Sequence, residues 1–152
     1  MIYRLILFLI LNFTTLGISR LLGGEGPRSE WYMGLDTAPW TPPGLVIGVC
    51  WTVVMICFSI YLAYLWPVVG NKNLLIGVLI LHYILSLVWN PTFFYYHQVL
   101  TGLFIIIGLT VVIGFLLFYY WPELKFKSLL VAPYLIWIVI ATSLNAYVFV
   151  KN

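Results

Sequence analysis

Charge is what this sequence has least of. Asp, Glu, Lys and Arg make up 7% of its 152 residues, where a soluble domain carries about 25%. All of them fall at or near the ends of apolar runs, and the interiors of those runs carry none. That excludes a soluble globular domain and leaves an integral membrane protein, with the lipid bilayer as its first partner. The lack of any acidic or basic residue at mid-membrane depth counts against ion-coupled carriers, which need such groups along their path. Cysteine is equally sparse. Cys50 and Cys57 lie seven positions apart on one predicted helix, too far for a disulfide, whose Cα atoms stand within about 7 Å of each other. With no third ligand beside them they are expected as packed, reduced thiols, with neither a metal nor a required cofactor. The net charge of +3 is scattered, without the Lys/Arg cluster that nucleic-acid binding needs. There is no internal repeat, and nothing like the paired broken helices of secondary transporters.

Apolar residues fill the space that charge leaves, at 64% of the chain, with 18% aromatic. A membrane helix takes roughly 20 apolar residues, and five stretches qualify: 2–22, 44–66, 73–96, 98–120 and 128–150. They use nearly all of 1–152. The expected fold is an all-α integral membrane protein, a single five-transmembrane-helix bundle with one long loop, 23–43. Arg4 followed by "LILFLILNF" also looks like a secretory signal, but no Ala-x-Ala-like cleavage site follows and the apolar run continues past Arg20, so a retained helix is expected. Short connections elsewhere predict that successive spans pack as antiparallel neighbours. Arg4, Lys72, Lys125 and Lys127 fall on one side, Arg28 and Lys151 on the other, with Arg20 at that boundary. The positive-inside rule then places the N-terminus inside by a narrow margin, and Trp66, Tyr119, Tyr120 and Trp121 sit where an interfacial aromatic belt belongs.

Three helices carry informative faces. In the third span His82, Ser86, Trp89 and Phe93 are spaced four, three and four apart, one stripe of a helix. Its polar groups must face the bundle interior, and two readings stay open: interhelical hydrogen bonding with aromatic packing, or the wall of a ligand site. Pro91 removes a helical hydrogen bond, frees the carbonyl of Leu87 and predicts a kink. The fifth span places Tyr134, Trp137, Ala141 and Leu144 on one face and adds the amide of Asn145, which must find a partner within the bundle. The second places Gly44, Ile47, Trp51, Met55 and Phe58 together. Trp51, Trp89 and Trp137 are thus each on an inward stripe, and an aromatic-lined cavity for a planar apolar ligand of several rings is expected. His82 is the one axial ligand available to a haem, and a lone membrane histidine is more often a packing residue.

The stretch "WYMGLDTAPWTPPGLVIGVCW" resembles the signature of the translocator protein family, also called tryptophan-rich sensory proteins or peripheral benzodiazepine receptors. Trp31, Tyr32, Trp40, Pro42, Pro43, Gly48 and Trp51 match it, as do Trp89, Phe93 and Phe94 in "WNPTFF" and Pro133, Tyr134, Trp137, Ala141, Leu144 and Asn145 in the last span. Two departures stand out: Thr37 replaces the usual lysine, and Ser86 an asparagine. The resemblance implies a five-helix bundle, usually a homodimer, whose cavity the first long loop closes. It implies a site lined by Tyr32, Pro42, Ile47, Trp51, Ser86, Trp89, Phe93, Trp137 and Ala141, and ligands such as protoporphyrin IX, other tetrapyrroles, cholesterol in animals and planar synthetic hydrophobes. It also implies a possible activity, the light- and oxygen-dependent breakdown of porphyrin with Trp51 and Trp137 as the catalytic indoles. Pro42 and Pro43 start the second span, where a missing N–H costs little. Stiff φ angles at Pro39, Pro42 and Pro43 are expected to hold Trp31, Tyr32 and Trp40 over the bundle mouth as a lid.

Leu144, Tyr147 and Lys151 fit the weak sterol-recognition pattern, which a helix end with interfacial Tyr and Lys also produces by chance. Three functions compete: a porphyrin-binding receptor or sensor that aids ligand movement, a photo-oxidative porphyrin-degrading enzyme, and a structural or assembly protein without a small ligand. A bacterial inner membrane is the expected location.

Overall fold

The computed structural model describes residues 1–152, and five of its helices are long and apolar enough to cross a membrane. Helix α1 runs Ile2–Leu22. A 3₁₀ turn, Gly26–Arg28, and a short helix α2, Glu30–Met33, interrupt the connection that the sequence presents as plain loop. Ser29 caps α2 by accepting a hydrogen bond from the Tyr32 backbone N–H at 3.2 Å. Then come α3 (Gly44–Val68), α4 (Lys72–Asn90) and α5 (Val99–Tyr119). A single-turn α6 (Trp121–Leu124) and the 3₁₀ segment Lys125–Val131 lead into α7 (Ala132–Lys151). Regular helix therefore begins at 132 rather than 128, with Pro133 in the first turn where its missing N–H is harmless.

The long helices form a closed ring in the order α1, α3, α7, α5, α4. The packing of each span against the next fails once: α3 and α4 follow one another in the chain, yet α1 packs against both and stands between their backbones. Asn12 of α1 explains the wedge. Its amide donates to Ser59 Oγ of α3 at 2.8 Å, and its carbonyl accepts from the Tyr83 hydroxyl of α4 at 3.0 Å. A buried amide must be satisfied inside a membrane, and only the seam between α3 and α4 offers both partners. The two helices meet there through long side chains, as in the Phe58–His82 contact at 4.9 Å between ring centroids.

At the end away from the long loop, cations cover the aromatic belt. Lys127 lies 4.3 Å from the Tyr64 ring centroid and Lys72 lies 5.9 Å from that of Trp66.

The kink expected at Pro91 takes the form of one π-helical turn, Pro91–Tyr95. The orphaned Leu87 carbonyl is answered by another helix. Ser19 Oγ of α1 donates between the carbonyls of Ser86 at 2.8 Å and Leu87 at 3.0 Å, and itself accepts from Asn90 Nδ2 at 3.0 Å. Ser19→Ala should therefore lower stability by about 1 kcal/mol and loosen the π turn. Thermal unfolding in detergent checks this, and an unchanged midpoint would show the carbonyls satisfied without Ser19.

Candidate functional site

The inward face of α4 is held by hydrogen bonds to α7, which bonds in turn to α5. His82, 2% exposed, sits 2.9 Å from the Tyr134 hydroxyl through Nε2. The imidazole tautomer sets which of the two atoms donates, and Nδ1 is buried without a protein partner. Ser86 Oγ stands at 3.4 Å from the same Nε2, a long contact. Trp89 Nε1 donates to Asn145 Oδ1 at 3.3 Å, and Asn145 Nδ2 donates to the Val99 carbonyl at 3.1 Å. Of the two readings of this stripe, interhelical hydrogen bonding is present at His82 and Trp89, while the Ser86 contact stays within α4.

Trp51 of α3 meets α7 edge-on, at 6.1 Å from Tyr134 and 6.3 Å from Trp137. Trp137 is 8% exposed and its indole N–H has no acceptor. Trp89 lies apart from that pair and stacks on Phe93 at 5.7 Å. The three tryptophans therefore form two separate groups. Between them lies an interior cavity of about 30 Å³, whose walls include Asn12, Trp51, His82, Tyr83, Ser86 and Trp89. A water occupies at least 10–15 Å³ measured this way, so the space holds one or two waters and no multi-ring ligand. Ile47 and Ala141 are half-buried against the core beside it, and Leu144 is half-buried farther along α7.

The loop aromatics separate into two anchors rather than spreading over one mouth. Trp31 stacks on His97 at 4.2 Å and meets Phe93 edge-on at 5.7 Å, while Tyr32 packs against Phe94 at 5.3 Å and Phe93 at 6.2 Å. Burial there pushes the Tyr32 hydroxyl above its ordinary pKa. His97 reaches Trp31 from a left-handed backbone, φ 55°, which turns the chain tightly between the π turn and α5. Trp40, 53% exposed, goes instead to α7: its indole donates to Ser143 Oγ at 3.1 Å and its ring meets Tyr147 at 5.4 Å. Asp36 and Asn152 exchange backbone–side-chain hydrogen bonds at 2.9 and 3.1 Å. Tyr147, marked in the sequence by the sterol pattern, is thus a seat for the loop, with the Lys151 ammonium 5.9 Å from the same ring. Pro42 is half-buried where the loop joins α3.

Sequence reasoning missed His97, Ser143, Asn152 and Gly102. The first three carry no periodic signal because they bind the loop across more than fifty positions of chain. Gly102 has a faint one, a glycine within an apolar run. A Cβ there would stand 3.3 Å from Phe93 and 3.4 Å from Asn145 Oδ1, so its absence lets α5 close against the π turn.

Ring and break define a polytopic helical membrane protein with clustered aromatic side chains in its interior. Residues 6–150 match the model of the TspO/MBR family, to which the chain belongs. It is 30% identical over 123 residues to the tryptophan-rich protein TspO of Archaeoglobus fulgidus, covering 80% of each chain. Over 142 residues it is 30% identical to the human translocator protein, covering 88% of this chain and 80% of that one. Protein CrtK of Rhodobacter capsulatus is 26% identical over 125 residues, covering 80% of this chain and 78% of its own.

If Trp31 and Trp40 anchor the loop independently, each replacement should free one part of it. Trp31→Ala should raise hydrogen–deuterium exchange across 29–35, and Trp40→Ala across 36–41, by several-fold each. Release of the whole loop by either change would show one cooperative lid.

Proposed function

We propose that the chain is a membrane-embedded receptor for porphyrins, protoporphyrin IX among them, and for similarly planar hydrophobes, and that it aids their movement within the membrane. The supporting observation is the Trp51–Trp137 edge contact beside Tyr134. These are large apolar faces held next to a cavity, with no charged group in its walls. Pockets for ligands of this size measure about 300–1,000 Å³, so the ligand must open the chamber, separating the rings and lifting the loop. Nothing covalent or ionic resists that opening: the contacts to break are aromatic edges, the loop's few hydrogen bonds and the His82–Tyr134 and Trp89–Asn145 bonds between α4 and α7. Binding then selects a minor open state, and the half-exposed Trp40 anchor is the weaker hinge of the two.

Replacing Trp51 and Trp137 together by leucine should weaken protoporphyrin IX binding about tenfold or more, since each aromatic contact is worth about 0.5–1.5 kcal/mol. The shift of the porphyrin absorption band during titration measures it. Trp121→Phe, at the opposite end of the bundle, should leave affinity unaltered. Equal binding by the double variant would remove these walls from the site. No binding of any porphyrin or planar hydrophobe by the unaltered protein would leave the structural reading, to which the closed interior already corresponds.

The contact between two oxidisable indoles also favours a second reading, light- and oxygen-dependent porphyrin breakdown. It predicts bleaching of the bound porphyrin under light and oxygen faster than with free tryptophan, and loss of that excess in the Trp51/Trp137 variant. Equal bleaching in the free-tryptophan control would discard it.

A further inference from the structure

A broad concavity lies on the outside of the ring, where the end of α1 meets the start of α3. It is an open groove of about 610 Å³ lined by Arg20, Arg28, Gly44, Gly48, Thr52 and their valine and leucine neighbours. Its position relative to the bilayer is informative. Arg20 is two residues short of the end of α1, and Arg28 closes the 3₁₀ turn beyond it. Both guanidinium groups therefore lie at headgroup level. From Gly44 to Thr52 the groove descends two turns of α3, about 12 Å, into the hydrocarbon region. Gly44 and Gly48 leave open space where a Cβ would stand, and Leu45, Val49 and Val53 expose apolar surface along it. The walls thus carry two cations and no carboxylate at the mouth, with an apolar trough below.

From this arrangement we infer a binding site for an anionic glycerophospholipid. The phosphate is held between Arg20 and Arg28, whose planar forks match its oxygens, and one acyl chain lies in the trough over Gly44 and Gly48. A second copy of this chain suits the groove less well. A two-fold contact places the same patch on both sides, which would bring four guanidinium groups together with nothing to neutralise them. Anionic headgroups do the opposite and are drawn to basic residues at the membrane surface, at about 1 kcal/mol each.

The test is native mass spectrometry of the full-length protein from mild detergent, titrated with dioleoylphosphatidylglycerol or dioleoylphosphatidylcholine. Retention of the anionic lipid should exceed that of the zwitterionic one about tenfold, the worth of one charge-assisted hydrogen bond. Arg20→Gln with Arg28→Gln should abolish that preference. Gly48→Leu, which fills the trough, should reduce retention of both lipids alike, with helical content by circular dichroism unchanged in every variant. Equal retention of the two lipids by the unaltered protein would overturn the site, as would a preference that survives the double Gln variant. Displacement of the lipid by soluble glycerol 3-phosphate would show that the trough contributes nothing and overturn the lipid assignment. A dimer that Gly48→Leu splits into monomers, without headgroup preference, would assign the groove to a second copy instead.

Discussion

The bilayer supplies no water to a stranded polar group, and each one left unpaired in hydrocarbon costs several kcal/mol. Much of this structure follows from meeting that demand in two places. Asn12 can be satisfied only between Ser59 and Tyr83, so α1 is driven into the seam between α3 and α4. Pro91 leaves the Leu87 carbonyl without its helical donor, and Ser19 of α1 closes that gap. Both solutions use the same helix, one near its middle and one near its end, so together they fix how α1 is rotated and how far it is inserted. The ring order of the other helices then leaves Trp51 facing α7 and Trp89 facing Asn145.

The π turn that follows the proline links this polar arrangement to the chamber. It brings Phe93 and Phe94 together at 4.8 Å under the loop and ends at His97, whose left-handed backbone aims its ring at Trp31. A straight helix would carry these rings off along the membrane. The loop is seated at one end on a break in α4 and at the other on α7, while the small interior cavity is walled by the helices themselves. An interior held shut by ring edges and a handful of hydrogen bonds can be opened by a ligand with comparable apolar area, whereas one locked by ion pairs could not.

Much of this was legible residue by residue. The His82 stripe, the need of Asn145 for a partner, and the freed carbonyl before Pro91 are local consequences of spacing and valence, and each has its counterpart here. The loop was read as one lid because Trp31, Tyr32 and Trp40 are close in the chain; their seats on α4 and α7 are remote from it and carry no pattern. Tyr147 matched a short motif, yet its ring serves the loop through Trp40. Short connections suggested that every span packs against the next, and the rule failed where a buried amide on α1 competed for the same seam.

By itself the sequence determined that the chain crosses a membrane with five helices, because the cost of charge in hydrocarbon and the thickness of the bilayer act on each segment separately. The prolines likewise marked where helix α3 starts and where α4 breaks. Only the tertiary structure decided that α1 separates α3 from α4, that the three inward tryptophans form two groups, and that the space between them is closed to about 30 Å³. Those outcomes depend on the rotation of each helix about its own axis. That rotation is set by hydrogen bonds between residues 47 to 71 positions apart, which no local pattern contains.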